Sequence, residues 1–239
     1  MEEIRLNKFL AERLGISRRV ADDLIAAGRV EVNGKVAVLG ARIHENDKVV
    51  SEGKPVSTGE FNYTYLAFNK PVGYVCSRKK QGDADTIYSL LPEKFQDLKT
   101  VGRLDKDSSG LILLTNDGDF SFQMTHPKFV KTKTYVVVLD RALEPLHQQM
   151  ISDFGVNLPD GISKLTLTSL ADGHATDSID QTGDYSRLRF LVEMSEGRNR
   201  QIRRTFEALG YMVRELHRIS FGNYQLGDLK NGEFKEIQK

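Results

Sequence analysis

The run Gly102-Arg103-Leu104-Asp105-Lys106-Asp107-Ser108-Ser109-Gly110 leads straight into Leu111-Ile112-Leu113-Leu114-Thr115. An almost wholly apolar segment of that length reads as a buried strand. It therefore fixes one element of the core, and it holds the charged loop before it at that element's edge. Such a loop is either a surface turn or a site. Any fold available to this chain has to bury the strand and leave Asp105 beside it.

The rest of the chain divides around this element. At 239 residues there is room for one large domain, or for a small module joined to a larger one. In the first part Leu6, Leu10 and Leu14 recur at helical spacing and Gly15 can end that helix. Ser17 is placed to cap a second helix carrying Val20, Leu24 and Ile25, with Gly28 as its stop. Val30 and Val32 alternate towards Asn33-Gly34, a strong tight-hairpin signal, and Val36 and Val38 alternate away from it. Residues 1–50 thus read as a helix-helix-hairpin module. Residues 51–61, which include Gly53, Pro55 and Gly59, read as a linker.

Residues 62–239 read as a larger α+β domain. A strand is expected over Tyr63–Phe68, then a turn at Asn69-Lys70-Pro71-Val72-Gly73. After the Leu111–Thr115 strand, Asn116-Asp117-Gly118-Asp119 makes a turn into a helix through Phe120 and Met124. Tyr135–Leu139 is β-branched and strand-like. Leu143, Leu146 and Met150 fit a helix, and residues 172–185 form a polar excursion. Leu188, Phe190, Val192 and Met194 alternate as in a half-buried strand, and Ile202, Phe206 and Leu209 mark the stripe of a helix ending near Gly210.

Composition narrows the class. Charged residues at 28% and hydrophobic ones at 39% suit a soluble globular protein. The net charge of +1 does not announce a nucleic-acid binder, but its distribution is uneven. Acids crowd the stretch from Asp153 to Asp184, whereas Arg198, Arg200, Arg203, Arg204, Arg214 and Arg218 crowd the next. Cys76 is the single cysteine, so neither an intramolecular disulfide nor a multi-cysteine metal site can form. The first residues lack the pattern of a secretory signal, and no apolar run approaches the roughly 20 residues that span a bilayer. The expectation is a cytosolic protein.

Three segments carry candidate chemistry. Asp105, flanked by cations, stays ionised and fits a nucleophile, a base or a structural ion pair. Glu196-Gly197-Arg198-Asn199-Arg200-Gln201-Ile202-Arg203-Arg204 places arginines on a loop and the first turns of a helix, a pattern suited to phosphates and bases. Arg203, next to the buried Ile202, is the expected partner of a site carboxylate. Lys131-Thr132-Lys133-Thr134-Tyr135 ends in a tyrosine that is either a half-buried structural aromatic or a stacking surface with a hydroxyl for proton transfer. The five histidines lack zinc-ligand spacing, Asp117-Gly118-Asp119 lacks the longer calcium-loop pattern, and no phosphate-binding glycine motif is present. Nothing in the sequence asks for a metal or an organic cofactor.

Together these segments resemble a known family. Gly102-Arg103-Leu104-Asp105 with Gly110-Leu111-Ile112-Leu113-Leu114-Thr115-Asn116-Asp117-Gly118, Asn69-Lys70-Pro71-Val72-Gly73, Lys133-Thr134-Tyr135 and Gly197–Arg204 are similar, in order, to motifs of the bacterial ribosomal RNA pseudouridine synthases that carry an S4 module. Residues 4–48 resemble that module. Ser108 stands where threonine is usual, and the polar excursion at 172–185 is longer than the family's connection.

The resemblance implies an S4-like module followed by a mixed, mainly antiparallel sheet, and isomerisation of a uridine in RNA without cofactor or energy source. Asp105 would be the essential carboxylate, Arg203 its ion-pair partner, and Tyr135 the surface stacked on a flipped-out uracil. Arg103, Leu104, Lys70, Arg198, Asn199, Arg200 and Ile202 would serve base flipping and RNA contact, and Arg5, Lys8, Arg18, Arg19 and Lys35 would bind RNA from the module. Asp107 and Ser108 receive no role. The implied partner is ribosomal RNA or a ribosome-assembly intermediate, with no membrane and a monomeric protein. The alternative from another class is a non-catalytic RNA-binding assembly factor of the same fold.

Overall fold

The computed structural model describes residues 3–57, 62–170 and 188–239; the polar stretch 172–185 lies outside them. The chain forms two compact units, Met1–Thr64 with Asn116–Gly118, and Tyr65–Thr115 with Asp119–Lys239.

The first unit contains β1 (Ile4–Arg5), α1 (Leu6–Arg13), α2 (Arg18–Ala26), β2 (Val30–Val32), β3 (Lys35–Val36), β4 (Arg42–Ile43), β5 (Val49–Ser51) and β6 (Lys54–Val56). Ser17 caps α2 as its sequence position indicates, its Oγ accepting the Val20 N–H at 3.2 Å. Asn33 and Gly34 both hold positive φ, 52° and 77°, and turn β2 into β3. Leu6, Phe9, Leu10, Ala21, Ile25, Val30, Ile43 and Val49 make the core.

Several details of this unit differ from the sequence reading. Leu14 follows the last residue of α1 and is exposed rather than packed. Strand β3 is only two residues long, so Val36 and Val38 are exposed and Ala37 is the buried residue between them. The expected linker begins as structure: β6 pairs with β5 through a turn at Glu52-Gly53, where both residues again hold positive φ.

The second unit contains β7 (Tyr65–Lys70), β8 (Lys99–Val101), β9 (Ser109–Thr115), α3 (Gly118–Thr125), β10 (Lys133–Leu139), α4 (Pro145–Gln149), β11 (Val156–Leu158), β12 (Gly161–Ser163), β13 (Thr166–Ser169), β14 (Arg189–Met194), α5 (Gln201–Glu207), β15 (Val213–Phe221), β16 (Tyr224–Gln225) and β17 (Phe234–Glu236). Its main sheet has nine strands with the central order β13-β14-β10-β15-β9-β7-β17; β16 pairs with β15, and β8 with β9. All of these pairings are antiparallel except β9 with β15. The architecture is α+β.

The opening apolar run is β9, and it is apolar throughout because both faces of the sheet are covered. Ile112 and Leu114 pack with Leu66, Phe68, Val137 and Phe206. Leu111 and Leu113 face the other way, towards Ala67, Phe120, Met124 and Phe221. The expected helix around Leu146 is shorter than its pattern. Pro145 opens α4, a wider turn over Met150–Phe154 follows it, and Ile151 takes the buried position while Leu146 stays exposed.

At the main sheet's parallel junction His217 pairs with Ser109 and Arg218 with Gly110. The Ser109 Oγ and His217 Nδ1 lie 2.9 Å apart and pin it. Gly110 holds φ +101°, and a Cβ there would collide with the Arg218 backbone. Gly110→Ala is expected to cost at least about 3 kcal/mol through combined strain and overpacking. Urea denaturation of the variant against the parent protein checks this.

Candidate active site

The Asp105 loop is fixed from below by main-chain and buried contacts. Ser108 N–H closes the turn onto the Asp105 carbonyl at 3.1 Å, and Gly73 N–H donates to the Lys106 carbonyl at 2.7 Å. Lys70, the last residue of β7, is completely buried, and its Nζ donates to the carbonyls of Ser108 at 2.6 Å and Pro71 at 2.9 Å. Burial pulls its pKa down against the opposing pull of Cys76, Asp105 and Asp107. The expectation of RNA contact at Lys70 is therefore corrected: its ammonium is spent on the loop and has no access to a ligand. Leu104 is also buried, its N–H directed at the Cys76 Sγ at 3.5 Å. Burial pushes that thiol above its ordinary pKa, so it stays protonated and unreactive.

The arginines arrive from the start of α5, and the pairing expected there changes partners. Arg200, at the helix N-cap in the left-handed region (φ 47°), donates to both carboxylate oxygens of Asp107 at 3.0 Å and 3.0 Å. Its Nη1 lies 3.8 Å from Asp105 Oδ2. Arg203 also turns to Asp107, with Nε 3.2 Å from Oδ2 and Nη2 donating to the Asp107 carbonyl at 2.7 Å. Its Nη1 donates to the Val213 carbonyl at 2.7 Å, which ties the guanidinium to β15 and away from Asp105. The Arg203–Asp105 pair is thus replaced by an Arg200–Asp105 approach, and Asp107 is the hub of both guanidiniums. Burial works to raise the Asp107 pKa, but the Arg200 hydrogen bonds and the charges of Arg203 and Arg200 outweigh it and hold the group below the usual value.

Two other motif arginines are structural. Arg198 donates to the carbonyls of Asp160 at 3.0 Å, Gly161 at 3.0 Å and Ile162 at 2.8 Å, and to Glu196 at 3.0 Å, so it clamps the β11–β12 turn. With its donors occupied, the expectation that Arg198 contacts RNA is corrected. Arg204 makes a bidentate pair with Asp160 at 3.0 Å and 2.8 Å.

Above these groups lies a cleft of about 740 Å³ lined by Arg103, Asp105, Lys133, Tyr135, Asn199, Arg200 and Arg218 among others. Leu104 and Ile202, both buried, also contribute to its lining. Arg103 and Asn199 are exposed, as an RNA contact requires, whereas Arg203 is absent from the lining. Arg5, Arg18, Arg19 and Lys35 are exposed on the first unit, and Lys8 is half-buried.

Tyr135 is buried on β10 opposite Arg218 of β15. Arg218 is itself buried, with Nε donating to the Leu111 carbonyl at 2.7 Å. Its guanidinium carbon lies 5.0 Å from the Phe221 ring centre and 6.0 Å from that of Tyr135. Arg218 and the hub role of Asp107 escaped the sequence reading. For Arg218 a signal existed: Leu216, Arg218 and Ser220 alternate as inward positions of one strand. The arrangement offers a fixed carboxylate, a buried aromatic face and guanidiniums in one concave site, which suits chemistry on a planar base attached to a phosphate backbone.

Comparison with known proteins follows the same lines. A sequence model of the RNA pseudouridylate synthase family matches residues 64–208, and an S4 domain model matches residues 4–49. A ribosomal small subunit pseudouridine synthase A of Pasteurella multocida is 38% identical, covering 98% of this chain and 96% of its own length. The chain belongs to the RNA pseudouridylate synthase family. A ribosomal large subunit pseudouridine synthase B of Bacillus subtilis is 33% identical to this synthase over 98% of the chain and 92% of its own length. A crystal structure of a pseudouridylate synthase superposes on the synthase with a TM-score of 0.65 at 31% identity, covering 98% of this chain and 96% of that one. Among the described residues no helix is long and apolar enough to cross a membrane.

Lys133 of the synthase also lines the cleft, and burial, followed by the charge of Arg218, brings its pKa down to about 8. An amine with that pKa becomes nucleophilic far below the pH at which ordinary lysines do. Brief acetylation across a pH series should label Lys133 with a midpoint near 8, read by peptide mass mapping. The Lys133 amine should also lower stability least above its unfolded pKa. Because its folded pKa is depressed, protons are released on folding between about pH 8 and the ordinary lysine range, and stability should rise with pH there relative to Lys133→Met.

Proposed function

We propose that this protein converts a uridine of ribosomal RNA to pseudouridine, with Asp105 as the essential carboxylate. The reaction breaks the N1–C1′ bond, rotates the uracil and joins C5 to C1′; the C5 proton is lost and N1 gains one, so nothing is consumed. The observation that carries the reading is the position of Asp105 in a cleft it shares with the Tyr135 ring and the Arg200 guanidinium, on a loop whose main chain is tied down by Lys70. Catalysis of this kind depends on a carboxylate held at a fixed place against the sugar.

Tyr135 stacks on the extruded base in this reading, and exposed Arg103 occupies or opens the space the base leaves. Arg200 orients Asp105, while Arg203 acts through Asp107 and the loop. The first unit supplies RNA contacts through Arg5, Lys8, Arg18, Arg19 and Lys35, and the second carries the chemistry. The protein acts as a cytoplasmic monomer on ribosomal RNA or an assembly intermediate.

Asp105→Asn should abolish pseudouridine formation in rRNA while leaving RNA affinity within about tenfold, or ~1.4 kcal/mol. Turnover retained by that variant would remove Asp105 from the chemistry. The double change Arg18→Ala, Arg19→Ala should weaken rRNA binding and flatten the slope of log affinity against log salt by roughly one to two. Filter binding from low to high salt reads both quantities.

A further inference from the structure

Arg218 presents a charge that the fold does not balance. It is 2% exposed, yet among the described residues only its Nε has a protein acceptor, the Leu111 carbonyl at 2.7 Å. The buried Nη2 has no hydrogen-bond partner among them. Among the described residues no carboxylate pairs with this guanidinium, although Arg200 and Arg203 share Asp107 and Arg198 and Arg204 share Asp160. Its flanking groups are the rings of Tyr135 and Phe221, and it lines the same cleft as Asp105. A buried cation without an anion is costly, and a fully packed apolar side chain would be cheaper at this place. The missing anion is therefore sought in the substrate.

The proposed reaction generates one. When the N1–C1′ bond breaks, its electron pair leaves with the base, whether Asp105 bonds to C1′ or takes the 2′ proton. The detached uracil is then an anion whose charge is spread over N1 and the two carbonyl oxygens. It persists until C5 attacks C1′, after which the C5 proton is lost and N1 is protonated. We propose that the Arg218 guanidinium, which lines the cleft, donates to a carbonyl oxygen of this uracil anion and stabilises it during rotation. The donor is fixed before the reaction begins, since Arg218 is tied to β9 both by its Nε bond and by the Arg218–Gly110 pairing. A preset donor of this kind stabilises developing charge without reorganising. Lys133 lines the same cleft, and its pKa is brought down to about 8 first by burial and then by the Arg218 charge.

This inference rests on the isomerase reading, and the same guanidinium chemistry would also suit a backbone phosphate. Leaving-group dependence separates the two. In-vitro transcribed small- and large-subunit rRNA, made with uridine or with 5-fluorouridine, is treated with excess protein, and the product nucleoside is separated chromatographically before mass detection: pseudouridine, an isomer of uridine, or the fluorinated adduct, which has no C5 proton to lose and takes up water at C6. 5-Fluorouracil is the more stable anion and needs less help. Arg218→Met should slow conversion of uridine by roughly a hundredfold while affinity changes by less than about threefold. With 5-fluorouridine the slowing should be about tenfold smaller, and Arg218→Lys, which keeps the charge, should recover about tenfold of the lost rate on uridine.

Equal slowing on both RNAs, or an affinity loss as large as the rate loss, would overturn the assignment in favour of a phosphate or packing role. A lysine variant as slow as the methionine variant would overturn it too. Thermal melts confirm that each variant is folded. If the methionine variant does not fold, the lysine variant is compared with the parent on the two RNAs under the same criterion. A parent protein that modifies neither rRNA overturns the isomerase reading as well, whereas an active parent with an unimpaired Arg218→Met overturns this inference alone.

Discussion

The structure of the site depends on one close approach. Strands β9 and β15 run parallel side by side, and at Gly110 the backbone of Arg218 comes too near for any side chain. That contact joins the strand following the Asp105 loop to the strand carrying Arg218, and Tyr135 on β10 is opposite Arg218 on the other side. Three segments far apart in sequence thereby meet across neighbouring strands. Both faces of β9 are packed, so the loop at its start rests on a support that has no freedom to shift.

A second constraint is charge balance around the loop. Asp107 absorbs Arg200 and Arg203, and Asp160 absorbs Arg198 and Arg204. Most of the arginine-rich motif is therefore neutralised within the protein, and its work is to fasten α5 and the β11–β12 turn around the cleft. Asp105 receives only the outer reach of Arg200, at 3.8 Å, and remains about one-third exposed at its side chain. A carboxylate left so lightly engaged keeps its acceptor capacity for a substrate, whereas both Asp107 oxygens already accept from Arg200. The buried Lys70 completes the scheme by replacing water beneath the loop with a fixed set of donors.

Elements with strong local periodicity were legible in the sequence. The apolar run became β9, alternation became β14, and the Asn33-Gly34 pair became a hairpin turn. Asp105, Tyr135, Arg103, Arg200 and Asn199 do share one cleft. What escaped was decided by tertiary geometry. Arg203 and Asp105 carry the right charges to pair, but Arg203 is anchored to Val213 and faces Asp107 instead. Arg198 and Lys70 look like solvent-facing cations by type, yet carbonyl oxygens from distant loops consume their donors. No local pattern reports which of several arginines will meet which carboxylate. Val38 and Leu14 failed for a simpler reason, since their elements stop before those residues are reached.

The parallel junction also bears on how this chain is made. Ser109 meets His217, and the start of β9 finds β15 only when a segment more than a hundred residues downstream is available. Contacts of such long sequence separation form late and slow folding. During synthesis only the Ser109–Gly110 end of β9 waits for β15, because β7 and β8 are already made and pair with the rest of the strand. A chain that stops before β15 therefore lacks the Arg218 wall and cannot assemble a working cleft.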